Sequence, residues 1–142
     1  MKSFVKILIL ALVGAGTWVA TAEQGSAMLL NQGDKIWDAV SSQGNLVLKG
    51  KYKESPENGL LEQTLEAEFQ HVAPGTRVTF SVDGRNVKSG IADSAGVARI
   101  RYFKLVTPGA DGRPTGPRVN DNSILTATWS GQTMSATFIP RP

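Results

Sequence analysis

The sequence predicts an all-β fold, an antiparallel sandwich or barrel of about seven strands. From Gly44 onward, apolar and polar residues alternate, which is typical of strands that bury one face. Turn-forming pairs such as Asn58-Gly59 and Asp83-Gly84 separate these runs. The chain has no cysteine, so burial of apolar side chains rather than disulfides has to stabilise the fold.

Residues 1–22 have the features of a secretory signal peptide. Lys2 and Lys6 precede or flank an apolar stretch, and Ala20-Thr21-Ala22 matches the small-x-small cleavage pattern. We therefore expect an exported protein, periplasmic or extracellular, whose mature chain begins at Glu23 and has no membrane span. The alternative is an uncleaved anchor, because residues 4–22 approach the roughly 20 residues that a membrane helix needs.

The mature chain is nearly balanced in charge. Loss of Lys2 and Lys6 leaves 13 of the 15 basic residues against 12 acidic ones. Such a balance gives no long-range electrostatic reason to expect nucleic acid as a partner.

The N-terminal part of the mature chain is consistent with two local structures. Residues 23–43 have weak periodicity, and the stretch after Gly33 fits either a short helical turn capped by Asp34 or an irregular edge strand. The β-sandwich domain is expected over residues 44–142.

A long hairpin is predicted first, from the runs "GNLVLKGKYK" and "LLEQTLEAEFQH". The connection at 54–59 contains Pro56 and Asn58-Gly59 and is predicted to be a turn. Pairing Tyr52 with either Leu61 or Gln63 keeps the apolar faces together and sets a row of lysines beside a row of glutamates.

Five further strands are predicted after turns at Ala73–Thr76, Asp83-Gly84, Asp93–Gly96 and Ser130-Gly131. Gly90 indicates a bulge or a place of close packing. Residues 107–122 contain many prolines and glycines and predict a long loop. The strands are expected to bury Phe80, Tyr102, Trp129 and Phe138, among others.

The runs "PGTRVTFSVDGRNVKSGIADSAGVARIRY" and "ILTATWSGQTMSATF" resemble bacterial immunoglobulin-like β-sandwich modules of exported and surface proteins. The resemblance covers about half of the mature chain and consists of turn and strand patterns. It implies an immunoglobulin-like sandwich fold and does not specify a function. The chain departs from the family in its longer 107–122 loop and its single copy, so the family's role as a stalk does not transfer.

Residues for catalysis are scarce. The chain has one histidine, His71, and no cysteine, which disfavours Ser–His and thiol hydrolases and the usual zinc sites. Asp111 and Asn120-Asp121-Asn122 offer oxygen ligands for Ca²⁺, but side chains of these types also form turns. We therefore expect no cofactor, no metal and no enzymatic activity. A carboxylate-dependent hydrolase is the less favoured alternative.

Two surfaces are predicted to bind a partner, which would be a polysaccharide or a cell-surface protein. The first is the 107–122 loop, and the second is a basic face of the strand before it. Their candidate residues are Asp111, Arg113, Arg118 and Asp121 in the loop and Arg99, Arg101 and Lys104 on the strand. A small carbohydrate-binding domain is the alternative if Trp37 and Phe103 share an open face. Strand 44–53 or the C-terminal strand is a candidate edge for a partner strand.

Overall fold

The computed structural model describes residues 33–142, which form nine strands and no helix. The predicted signal peptide lies outside these residues. No helix that could cross a membrane is present in residues 33–142. The strands are β1 (Lys35–Gln43), β2 (Leu46–Glu57), β3 (Leu60–Gln70), β4 (Arg77–Val82), β5 (Arg85–Ile91), β6 (Val97–Val106), β7 (Ile124–Trp129), β8 (Gln132–Thr137) and β9 (Ile139–Pro140).

The strands form two antiparallel sheets, which confirms the predicted all-β, sandwich-like architecture. One sheet has five strands in the order β6-β3-β2-β1-β9, and the other has four in the order β5-β4-β7-β8. The seven strands expected from Gly44 onward correspond to β2 to β8. Because β2 lies between β1 and β3, it is not the edge strand that the sequence suggested.

The segment that the sequence left open contains a strand. All nine residues of β1 pair with β2, and Trp37 and Asp38 also pair with β9. Trp37 and Ala39 face the core, while Asp38 and Val40 alternate with them on the outer face. Among the described residues, the first strand of the five-stranded sheet therefore starts at Lys35.

The β2–β3 hairpin has a different register from the one predicted. Tyr52 lies opposite Leu65 rather than opposite Leu61 or Gln63. The reason is the turn, which consists only of Asn58-Gly59, with φ values of 52° and 82°. β2 therefore continues through the predicted connection, which makes Glu54 a buried strand residue. The alternation of faces is unchanged by this shift.

The core lies between the sheets and contains Leu48, Phe69, Phe80, Leu125 and Phe138, all fully buried. Gly50 provides space for two of them. A Cβ atom at Gly50 would lie 2.6 Å from Leu125 Cδ2 and 3.2 Å from Phe138 Cζ. The small residue in β2 therefore lets the second sheet approach closely.

β5 and β6 bring the two sheets together at one side of the sandwich. A Cβ atom at Gly90 of β5 would lie 2.6 Å from the carbonyl oxygen of Arg99 in β6, so Gly90 marks close packing. The irregular pairing of β4 with β5 lies elsewhere, between Phe80 and Ser81.

Candidate binding surfaces

The 107–122 loop packs against the inner face of the five-stranded sheet through Arg113. Its guanidinium donates from Nε to Glu54 Oε1 at 3.0 Å and from the terminal nitrogen to Oε2 at 2.7 Å. It also lies 4.6 Å above the Trp37 ring and donates to Asn120 Oδ1 at 2.8 Å. Glu54 is only 2% exposed, so this ion pair joins the loop to the interior of the sheet.

Buried polar groups around Glu54 complete a hydrogen-bond network. The Tyr52 hydroxyl donates to Glu54 Oε2 at 2.7 Å and accepts from Gln63 Nε2 at 2.8 Å. Gln63 also donates to the Pro117 carbonyl of the loop at 3.0 Å. Burial raises the pKa of the Tyr52 hydroxyl well above its ordinary value. Burial alone would lower the pKa of Arg113, but the hydrogen bonds and charge of Glu54 raise it.

The other predicted loop residues also have partners within the protein. Asp121 accepts from Trp37 Nε1 at 2.8 Å, and Arg118 donates to Asp111 at 2.9 Å. The backbone N–H of Arg113, together with Arg118, lowers the pKa of the Asp111 carboxyl. These contacts give all four candidate residues a role in holding the loop. No cluster of three or more His, Cys, Asp or Glu residues that could hold a metal ion occurs in residues 33–142.

The predicted basic face of β6 is divided between two sides of the sheet. Because side chains alternate along a strand, Arg99 and Arg101 share the outer face, whereas Lys104 projects from the opposite side. Lys104 therefore does not extend the surface that the two arginines form.

Arg99 and Arg101 line a trough on the outer face of the five-stranded sheet, here called the outer-face trough. It has a volume of about 630 Å³ and crosses four strands. Two adjacent rows of residues run across it. The first row is Asp38, Lys51, Glu66 and Arg101, and the second is Val40, Lys49, Glu68 and Arg99.

Arginines neutralise the acidic residues of the outer-face trough. Glu68 Oε2 lies 3.4 Å from a terminal guanidinium nitrogen of Arg99, and Glu66 Oε2 lies 3.5 Å from Arg101 Nε. Asp38 accepts two hydrogen bonds of 2.8 Å from Arg141 near the C-terminus.

Unlike these acidic residues, the lysines at the centre of the trough have no direct ion pair within the described residues. Within residues 33–142, no carboxylate oxygen lies within 4.0 Å of the ammonium group of Lys49 or Lys51. The trough therefore presents two cations whose charge is not cancelled by a direct ion pair. The sequence pattern predicted the rows of lysine and glutamate but not this imbalance, which depends on contacts of Glu66 and Glu68 with arginines of β6 and of Asp38 with Arg141, 103 residues later in the chain.

Trp37 and Phe103 do not share the open face on which the carbohydrate-binding alternative depends. Trp37 is 6% exposed and lies on the inner face, whereas Phe103 is 51% exposed on the outer face. Tyr102, which was expected in the core, is exposed as well. The second half of β6 therefore has three accessible apolar side chains, those of Tyr102, Phe103 and Leu105.

No protein-family model matches the sequence, and no curated protein matches it either.

Proposed function

We propose that the protein is an exported, non-catalytic binding module of the periplasm or cell exterior, and that its outer-face trough binds acidic polysaccharide. The observation that carries this proposal is the position of Lys49 and Lys51. They lie side by side at the centre of an open trough whose carboxylates are already paired with arginines. An anionic ligand can therefore approach the two ammonium groups without displacing an internal carboxylate.

The shape of the trough favours a polymer over a compact anion. Residues two apart on a strand are separated by about 7 Å, so the two ammonium groups form a short row along β2. A polysaccharide with carboxylates on successive sugars would contact both at once, and weak exposed ion pairs would add up along the chain.

The carboxylates in the trough have surroundings that suit binding better than catalysis. General acid catalysis needs a carboxyl group that keeps its proton, usually by burial in apolar surroundings. Glu66 and Glu68 lie on an open sheet face and are each beside an arginine. Glu54 is buried, but Arg113 and Tyr52 occupy its two oxygens.

We propose further that the domain is related to the bacterial immunoglobulin-like modules that it resembles. The support is the strand run 77–106, whose turns at Asp83-Gly84 and Asp93–Gly96 lie where the shared pattern has them. Export is supported by the composition of residues 1–22 alone. Mass spectrometry of the protein expressed in a bacterial host should find Glu23 at the N-terminus, and an intact Met1 would contradict export by cleavage.

Binding to immobilised polygalacturonate at low salt tests the trough directly. The double variant Lys49→Gln/Lys51→Gln should bind at least about tenfold more weakly, because two charge contacts are lost. The control Arg77→Gln/Arg85→Gln removes the same charge from exposed positions of the other sheet and should bind like the wild type.

Two results would contradict the proposal. Equal weakening in both double variants would indicate attraction by overall charge rather than by the trough. Equal binding of wild type to neutral dextran would show that the carboxylates of the ligand are not recognised.

Addition of about 1 M NaCl should abolish binding, because exposed charge contacts are screened.

A further inference from the structure

Besides the outer-face trough, the protein has an exposed strand edge, which is the unpaired edge of β6. β6 lies at one end of the five-stranded sheet, and residues 101–105 are all exposed. Among them Phe103 is 51% exposed and Leu105 is 47% exposed. The unpaired backbone N–H and C=O groups of an edge strand form a template for pairing with another chain, and exposed apolar side chains favour that pairing.

The direction of the backbone groups at this edge follows from β5. The carbonyl oxygen of Arg99 faces Gly90 of β5, and that of Arg101 accepts a hydrogen bond of 3.1 Å from Lys88 Nζ. Both carbonyls therefore point away from β3. Because backbone groups alternate in an antiparallel ladder, the N–H and C=O groups of Phe103 and Leu105 point away from β3 too.

These backbone groups have no partner on the free side. In residues 33–142, no backbone hydrogen bond outside the strand ladders involves Phe103 or Leu105. Gly90 and Lys88 of β5 contact β6 at Arg99 and Arg101, which precede Phe103 and Leu105 in the strand. Phe103 and Leu105 thus offer two N–H and two C=O groups to an added strand.

The other three edges of the described sheets are less suited to the addition of an apolar strand. β9 has only two residues and includes Pro140, which cannot donate a hydrogen bond. β5 has an irregularity in its pairing and packs beside β6. β8 exposes only polar residues, namely Gln132, Thr133, Ser135 and Thr137. The exposed part of β6 has only Lys104 as a charged residue after Arg101.

We propose that the β6 edge binds an extended peptide of another protein by strand addition, and that this peptide has acidic residues opposite Arg101 and Lys104 and apolar residues opposite Phe103 and Leu105. Charge complementarity selects this occupant. On its paired side, β6 already matches Arg99 and Arg101 with Glu68 and Glu66 of β3. A second copy of β6 would bring another basic strand to the same edge, so we infer a partner of opposite charge.

A seven-residue peptide tests this proposal. In antiparallel pairing, fluorescein-labelled Thr-Val-Glu-Val-Thr-Glu-Thr places valines opposite Leu105 and Phe103 and glutamates opposite Lys104 and Arg101. Fluorescence polarisation should show saturable binding. A peptide with both glutamates replaced by lysine should bind at least about tenfold more weakly, because like charges then oppose each other. Methylation of the amide nitrogens of both valines should abolish binding, because it removes their N–H donors.

Two protein variants separate strand addition from binding elsewhere. Phe103→Pro removes an N–H that faces away from β3, so the sheet retains its own hydrogen bonds while peptide binding is lost. Phe103→Thr retains the N–H and should weaken binding less. Lys49→Gln/Lys51→Gln should bind the peptide like the wild type, which distinguishes this edge from the trough. Circular dichroism of each variant establishes that it is folded.

Hydrogen exchange gives the deciding result. With saturating peptide, the amides of Phe103 and Leu105 should exchange at least about tenfold more slowly. Peptide binding without this protection would overturn the proposal, as would equal binding of the N-methylated peptide. Protection that instead rises with protein concentration, in the absence of peptide, would identify a second copy as the occupant and would also overturn it.

Discussion

Replacement of Arg113 by alanine should destabilise the protein through Glu54. Glu54 is 2% exposed and receives two hydrogen bonds from Arg113, at 3.0 and 2.7 Å. Without the guanidinium, this carboxylate retains only the Tyr52 hydroxyl as a side-chain partner. Removal of one member of a buried ion pair costs about 3–5 kcal/mol in unfolding free energy. For a domain of this size, the melting temperature should fall by roughly 10–20 °C.

A double variant tests the physical reason. Arg113→Met/Glu54→Leu removes both charges, so no carboxylate is left buried without its counterion. The unfolding free energy of the double variant should fall by about 1–2 kcal/mol, less than that of Arg113→Ala, and mainly because hydrogen bonds in the loop are lost.

Urea denaturation, followed by tryptophan fluorescence, measures the unfolding free energy of the wild type, of Arg113→Ala and of the double variant. A loss of unfolding free energy below about 1 kcal/mol for Arg113→Ala would contradict a role for Arg113 as the counterion of a desolvated Glu54 carboxylate. A double variant less stable than Arg113→Ala would refute it as well. Where Arg113→Ala is folded, it should bind polygalacturonate like the wild type, since the loop lies outside the trough.

Three other predictions concern the turns and the junction of the sheets. Gly84→Val should lower the unfolding free energy by about 1–2 kcal/mol, because residue 84 has a φ of 81°. Binding to polygalacturonate should be unaffected. Selective loss of this binding at an unchanged melting temperature would contradict the prediction. Gly90→Ala should cost about 1–3 kcal/mol through its 2.6 Å approach to the Arg99 carbonyl, whereas Gly116→Ala, with open space around it, should cost less than about 0.5 kcal/mol in the same urea titration. Hydrogen bonds from backbone N–H groups and Arg99 lower the pKa of Asp93 below its ordinary value of 3.8, so its stabilisation is present above that value and is lost as the pH falls through the folded-state pKa. Asp93→Asn should therefore be less stable than the wild type at pH 7 and approach it below pH 3.8 in acid titrations; a constant difference would contradict this.

The strands were predictable because their signals are local. Alternation of apolar and polar residues placed β2 to β8, and Asp83-Gly84 adopts positive φ at both positions, as a two-residue hairpin turn requires. The register of β2 with β3 was not predictable in the same way. Several registers keep the same faces together, and the choice depended on whether Ser55 and Pro56 belong to the strand or to the turn.

The candidate sites depended on contacts between distant residues. Arg113 in a loop rich in proline and glycine resembled a displayed recognition residue, but its partner Glu54 is 59 residues earlier in the chain. Trp37 could be placed only once β1 was known to join the sheet. Conversely, the sequence pattern predicted only that Lys49 and Lys51 belong to a row of lysines beside a row of glutamates. Only the arginine contacts to Glu66 and Glu68 distinguish them as cations available to a ligand.

The most direct test of the account is amide NMR of the ¹⁵N-labelled protein during titration with oligogalacturonate. Binding at the outer-face trough predicts that the largest chemical-shift changes occur at residues 38–40, 49–51, 66–68 and 99–101, which line it. These changes should be absent in Lys49→Gln/Lys51→Gln. Changes confined to residues 107–122 would contradict the account and would return the binding function to the loop.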